Sequence, residues 1–324
     1  MIQQVIALDP QVYARHSMHV KERNWAETNC YVDVWIELLH AWGFEPIAAL
    51  PFTLGIDFEG DQWTFFKFPL SDLYDLYSLD VQELQIWRPL TTHIEEQLSL
   101  GRPMLVELDS FFLPDTAGTA YQIEHTKSTV AIVEIDVANE HMGYFHGQGY
   151  YHLTGDDFAS VFHTRGKRDP SLLVPYSEVV KIRNVPAPRG EELKRISLGL
   201  LRKQLQRLPE LNPFDKFRPR FEADLKWLAN EPIATFHQYS FATLRQFGAC
   251  FEAAATYLHW LQEQDVTKLE EPLAACAGIS TSAKTMQFQL ARAMARKKPL
   301  DLSPIDQMAE QWAQATEQLK ATFL

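Results

Sequence analysis

The stretch NVPAPRGEE, residues 184–192, separates two parts of the chain that differ in local character. Two prolines and a glycine within nine residues interrupt any helix or strand. Before this stretch, helical periodicity alternates with β-branched and aromatic runs; after it, apolar residues recur at the i, i+3 and i+4 spacing of amphipathic helices. We therefore predict an α+β domain over residues 1–185 and an all-α helical bundle over residues 190–324.

The clearest helix of the first part begins at Cys30. Apolar residues recur at helical spacing from Val34 to Trp42, Asn29 is a typical N-cap, and Gly43 is a typical stop. A second helix is expected to end at Gly101.

Four segments of the first part have the composition of strands, which predicts an antiparallel sheet. They are GDQWTFFKF at 60–68, Met104–Leu108, and the two arms of a hairpin at 128–136 and 143–153. A loop near residue 139 would place position 146 opposite about 132. Alternation then puts Tyr144 and His146 on one face of the sheet.

Charge and cysteine content exclude several functional classes. With 42 acidic and 30 basic residues the formal net charge is -12, which disfavours nucleic acid and anionic membranes as partners. Three cysteines without a CxxC pair fit a reducing compartment, so we expect a cytoplasmic protein. The N-terminal residues lack a signal-peptide pattern, and no apolar run is long enough to span a bilayer. Neither metal-ligand spacing nor a nucleotide-binding glycine motif is present, so we expect no metal and no cofactor of the protein's own.

Cys30 has two interpretations. A cysteine on the first turn of an amphipathic helix is often a small buried residue. However, the partial positive charge of a helix N-terminus stabilises a thiolate. In addition, a cysteine on an early helix followed by a histidine at the edge of a later sheet is the order found in Cys-His hydrolases and acyltransferases.

Several motifs of the first part resemble a known family. NCYVDVWIELLHAWGFEP, FTLGIDF, ELDSFFLPDT and YQIEHTKSTVAIVEID followed by GYFHG are similar to the papain-like domain of the butirosin H family. The full chain resembles a bacterial family known as domain of unknown function 1839, some members of which are encoded near amino acid:carrier-protein ligases. The resemblance implies a papain-like cysteine-hydrolase-type fold. It also implies a cysteine that accepts an acyl group from a carrier protein and passes it to an amine.

The residues implied by this resemblance are not all present. The family pattern has two histidines four residues apart before the hairpin strand and an Asp on the return strand. Here His125 matches the first histidine, Thr129 or its neighbour occupies the second position, and His146 occupies the Asp position. Either another base serves Cys30 or the chemistry of the site has changed.

The sequence therefore predicts a set of site residues. Cys30 is the candidate nucleophile, His125 and His146 are candidate bases, and Asp109 is expected to orient a histidine or to hold a substrate ammonium group. Lys127 is expected to meet a phosphopantetheine phosphate. The remaining expected substrate-binding residues are Asn29, Thr129 and Tyr144.

The expected function is acyl transfer, with an aminoacyl group as the expected cargo. Cys30 would take the acyl group from a thioester on an acyl or aminoacyl carrier protein, whose phosphopantetheine is the only prosthetic group involved. A small molecule or a protein would supply the acceptor amine or thiol. Basic residues of the segment 194–207 would dock the acidic carrier protein. Two alternatives remain: a Cys-dependent amidase or peptidase, and a non-catalytic protein that binds a carrier protein or ligand.

Overall fold

The computed structural model describes residues 2–166, 172–296 and 298–324. The chain divides into two compact units, each built from more than one segment. The first unit comprises Met1–Lys21, Asn29–Pro46 and Leu70–Ala187; the second comprises Glu22–Thr28, Ile47–Pro69 and Pro188–Leu324. The second unit thus includes two segments from the part of the sequence that precedes the linker.

The first unit is built on a seven-stranded sheet in which all the strand pairs are antiparallel. Its strands are β1 (Gln3–Gln4), β2 (Leu79–Glu83), β3 (Met104–Asp109), β4 (Lys127–Asp136), β5 (His141–His146), β6 (Gly149–Thr154) and β7 (Ser177–Ile182). The strand order is β2-β7-β3-β4-β5-β6, and β1 also pairs with β4. The α+β prediction is confirmed.

Four helices accompany the sheet. They are α1 (Cys30–Ala41), α2 (Leu70–Tyr77), α3 (Leu90–Ser99) and α4 (Gly155–Val161). The helix α3 ends as expected: Gly101 has a φ of 72°, and the Arg102 N–H donates back to the Gln97 carbonyl.

Each face of the sheet has its own apolar core. Val130, Ile132 and Tyr144 belong to a cluster that also contains residues of α3 and α4. Phe145 points to the opposite face, where its ring lies 5.6 Å from that of Tyr13. The Tyr13 hydroxyl in turn donates to Glu37 of α1, so α1 lies on the face of Phe145.

The predicted hairpin is a three-stranded meander. The segment expected to form one arm at 143–153 is split into β5 and β6 by a tight turn that includes Gly147, whose φ is 48°. Tyr144, rather than residue 146, lies opposite Ile132, and the register shifts between Ile132 and Glu134. This irregularity could not be read from the residue spacing, because one extra residue in a strand changes every later pair.

The second unit is helical. Its helices are α5 (Gly190–Leu205), α6 (Pro213–Leu228), α7 (Ile233–Ser240), α8 (Gln246–Glu263), α9 (Glu270–Arg296) and α10 (Ser303–Phe323), with a π-helical segment Phe241–Arg245 between α7 and α8. A helical C-terminal region was predicted and is confirmed. Within the described ranges, we find no helix with both the length and the apolar character needed to cross a bilayer.

The strand expected at 60–68 is absent. In this segment the only ladder contact within the described chain is one isolated bridge, between Phe58 and Trp63. The Trp63 ring instead lies 4.7 Å from Phe247 and 5.2 Å from Phe214. The aromatic side chains of the segment thus pack against helices of the second unit, and the strand prediction for 60–68 is wrong.

Candidate functional site

Cys30 is the first residue of α1 and is partly accessible to solvent. The side chain of Asn29 caps the helix by accepting a 3.0 Å hydrogen bond from the Val32 N–H. Asp33 adds a carboxylate in the first turn, which favours the helix macrodipole. The local sequence thus fixes where the helix begins and places the thiol at its positive end.

The Cys30 thiol contacts a hydroxyl group on the sheet. The Cys30 Sγ lies 3.7 Å from the Oγ1 of Thr129, which is on β4. The resemblance implies a histidine at this position or at a neighbouring one. The structure places Thr129 beside the thiol, where it offers a hydroxyl group and not an imidazole.

A histidine–carboxylate pair lies at the end of the same face. Asp109 pairs with Lys127 and Glu107 pairs with Thr129 across β3 and β4, so these side chains share the face on which Cys30 lies. The Nδ1 of His125 lies 2.6 Å from the Oδ2 of Asp109. Because a carboxylate only accepts hydrogen bonds, this contact leaves Nε2 available for proton transfer in the neutral ring.

His125 is held by stacking and remains accessible. Its ring stacks on that of Phe111 with centroids 4.2 Å apart, and 67% of its side chain is exposed. Lys127 is also exposed, at 75% of its side chain, and pairs with Glu107. The strand end thus presents an imidazole and an ammonium group to solvent.

His146 is part of a different network. Its Nε2 lies 2.6 Å from the Oγ of Ser128, and its Nδ1 lies 2.5 Å from the Oδ2 of Asp115. The Tyr144 hydroxyl donates to the other oxygen of Asp115. Burial raises the pKa of Tyr144, and the charge of Asp115 raises it further, so the phenol keeps its proton and acts as a donor.

The structure does not bring His146 to Cys30. Neighbouring strand residues point to opposite faces, and Ser128 contacts His146 whereas Thr129 contacts Cys30. The sequence placed Tyr144 and His146 on one face correctly. It did not reveal that α1 packs on the other face.

Sequence reasoning also missed two members of the His146 network. Ser128 lay inside the quoted strand STVAIVEID, and Asp115 lay in ELDSFFLPDT. The sequence offered no other sign of a role for these two residues than their position near predicted site residues. Their contacts with His146 span 18 and 31 residues of the chain, so local patterns do not reveal them.

A buried charge network anchors α1 near Cys30. His19 contacts Glu37 through Nδ1 and lies 3.3 Å from Asp33 through Nε2. Burial alone would lower the pKa of His19, but hydrogen bonds and charges from Asp33 and Glu37 outweigh it and raise the pKa to about 9. The helix is therefore held by a cationic imidazole between two carboxylates one turn apart.

Among the residues that the structure describes, one group of side chains is suited to a metal ion. Glu134, His141 and His152 each offer a ligand atom, and these atoms lie within 4.8 Å of one another. Two imidazoles and a carboxylate form a donor set that zinc accepts. Glu134 already accepts a 2.7 Å hydrogen bond from the ring of His141, which accounts for the contact without a metal.

Residues 194–205 of the basic segment 194–207 lie in α5, and two of their charges are paired within the helix. Lys194 pairs with Glu191 and Arg195 pairs with Glu192, each three residues apart. Arg202 donates to the carbonyl of Phe323. The face is thus less basic than the sequence suggested.

Together, the fold and the site define a class: an α+β protein with an antiparallel sheet, a helical C-terminal region and a cysteine at a helix N-terminus. Two family models cover nearly the whole sequence. The model described as the DUF1839 N-terminal domain matches residues 14–182, and the DUF1839 C-terminal domain matches residues 190–321. The chain belongs to the DUF1839 family, as the sequence resemblance predicted. A search of curated proteins gave no significant match.

Proposed function

We propose that the protein is an acyltransferase in which Cys30 accepts an acyl group, and specifically an aminoacyl group, from a carrier-protein thioester. The observation that carries the proposal is the placement of Cys30. Its thiol is partly accessible at the start of α1, on the face whose end holds the His125–Asp109 pair. These are the nucleophile, base and orienting group that thiol acyl transfer requires.

The start of α1 supports this chemistry electrostatically. Backbone N–H groups concentrate in the first turn of a helix and carry partial positive charge. That charge favours an oxyanion over a neutral carbonyl in the proposed reaction. The Asn29 cap keeps the first turn in place.

The proposed reaction has two steps. The Cys30 sulfur attacks the thioester carbonyl, a new C–S bond forms, and the pantetheine thiol leaves with a proton. In the second step an amine attacks the acyl-cysteine, a C–N bond forms, and the Cys30 thiol is restored. His125 takes the thiol proton in the first step and the amine proton in the second, with Asp109 fixing its tautomer.

Lys127 provides the proposed contact with the carrier protein. Its ammonium group is exposed on the same strand end, where the phosphate of phosphopantetheine would compete with Glu107 for it. Because the formal net charge of the chain is -12, the positive charge of Lys127 is a local feature of an acidic protein.

A second candidate has its own supporting observation. Thr129, which has no basic nitrogen, is the residue in contact with Cys30. A hydroxyl group cannot take the thiol proton, which favours a non-catalytic protein that binds a carrier protein or ligand. An amidase on the same residues would differ only in using water as the acceptor.

The test is mass spectrometry after incubation with an aminoacylated carrier protein. We expect an acyl adduct on Cys30 that disappears when an amine is added. Cys250 and Cys276 are buried in the same chain and serve as internal controls that should remain unmodified.

Two variants complete the test. Cys30→Ser should abolish transfer, and His125→Gln should slow adduct formation about 100-fold or more. His163, an exposed histidine that follows α4, provides the matched control His163→Gln, which should have no effect. An unmodified Cys30 together with tight carrier-protein binding would refute the acyltransferase and support the binding protein.

A further inference from the structure

Three side chains from separate elements form a hydrogen-bonded chain on the sheet face away from α1. Ser128 is on β4, His146 is the last residue of β5, and Asp115 lies in a 3-10 turn, Pro114–Thr116. The two contacts measure 2.6 Å and 2.5 Å. A hydroxyl, an imidazole and a carboxylate in this order are the nucleophile, base and orienting group of serine acyl transfer.

The hydrogen-bond directions follow from the chemistry of the groups. Asp115 accepts from the Tyr144 hydroxyl and from His146 Nδ1, so Nδ1 carries the hydrogen. Nε2 of the neutral ring is then an acceptor, and the Ser128 hydroxyl donates to it. This is the arrangement in which an imidazole can take the serine proton.

The base and the carboxylate are more buried than the hydroxyl group. Only 10% of the His146 side chain and 5% of the Asp115 side chain are exposed. Ser128 is partly accessible. A substrate can therefore reach the hydroxyl group, while the imidazole and the carboxylate are shielded from water. This shielding favours proton transfer from the hydroxyl to the ring over proton exchange with solvent.

The Ser128 contact is unlike that of other hydroxyls nearby. Ser110, which is buried, donates its hydroxyl to the Thr126 carbonyl at 2.7 Å, and Thr116 donates to backbone carbonyls. Those bonds satisfy the backbone. Ser128 instead donates to an imidazole, which can act as a general base.

We propose that Ser128, His146 and Asp115 form a second nucleophilic centre that hydrolyses carboxylic esters or thioesters. The Ser128 Oγ attacks the carbonyl carbon while His146 takes the hydroxyl proton. A C–O bond forms, and the alcohol or thiol leaves with that proton. Water, deprotonated by His146, then attacks the acyl-serine; the bond between the acyl carbon and Ser128 Oγ breaks, His146 returns the proton to Oγ, and the carboxylic acid is released. The centre goes beyond the proposed function, because it uses neither Cys30 nor His125.

The test uses a fluorophosphonate probe on the full chain, followed by peptide mass spectrometry. Attack by Ser128 breaks the P–F bond, releases fluoride and leaves a stable phosphonyl group on Oγ. We expect label on Ser128, none at this position in Ser128→Ala, and labelling at least about 100-fold slower in His146→Gln. Ser110→Ala is the matched control and should label normally.

Labelling of the wild-type protein is enough to test whether Ser128 is a nucleophile. Absence of label on Ser128 at saturating probe overturns the proposal even if the His146 variant does not fold. Label that forms at the same rate in a folded His146→Gln protein also overturns it. Cys30→Ser should leave labelling unchanged, so failure of the Cys30 mechanism and failure of this centre give different results.

Discussion

Raising the pH should weaken the protein through the buried charge network that anchors α1. His19 lies between Asp33 and Glu37, and its pKa is raised from 6.5 to about 9 in the folded state. A raised histidine pKa means that the folded state holds the proton more tightly than the unfolded state. The resulting stabilisation is fully present below pH 6.5 and is lost as the pH rises through about 9.

The size of the effect follows from the shift. A difference of about 2.5 pKa units corresponds to about 3.4 kcal/mol of the free energy of unfolding at low pH. Applying the linkage relation to one proton, the loss between pH 6 and pH 8 is about 2 kcal/mol. Cys250 and Cys276 have pKa values raised by burial, and their contribution appears only at higher pH, where the unfolded thiols ionise.

The assay is urea denaturation at half-unit steps between pH 6 and pH 8. His93 and His152 have pKa values lowered by burial, so they add stability as the pH rises through about 6.5 and offset part of the His19 loss at the start of the range. His19→Gln should remove most of the slope. His259→Gln, which removes an exposed histidine beside Glu263, should retain it. A wild-type pH dependence that matches that of a folded His19→Gln protein would refute the cationic His19.

Three further predictions concern the site and its surroundings. Gly143→Ala should lower the free energy of unfolding by about 1–3 kcal/mol in urea denaturation, because a Cβ there would lie 2.0 Å from the Tyr150 hydroxyl oxygen. Adding Tyr150→Phe should recover part of the loss. An unchanged stability of the single variant would contradict this packing. Asn29→Ala should cost about 1 kcal/mol by removing the cap of α1, whereas Asn29→Asp should be nearly neutral; equal stability of all three proteins would show that the cap is unimportant. A thiol reagent should modify Cys30 alone in the native protein and all three cysteines in urea; rapid modification of a second native thiol would contradict the described burial.

The segments with strong local signals were predicted well. The Asn29 cap and the Gly43 stop bracket a helix that begins at Cys30, and Gly101 follows α3. These signals act within one helical turn, so neighbouring residues are sufficient to set them. The segment 60–68 was predicted poorly, because aromatic residues suit a strand and a helix-packed segment equally.

The sequence by itself determined the local elements, the change to helix after the linker, and the candidate residues Cys30, His125 and Asp109. Only the tertiary structure decided which of the candidate groups meet. It paired Cys30 with Thr129 and His125 with Asp109, and it placed His146 with Ser128 and Asp115 on the other face. The reason is that strand register and helix placement depend on contacts between distant segments, and a shift of one residue moves a side chain to the opposite face of the sheet.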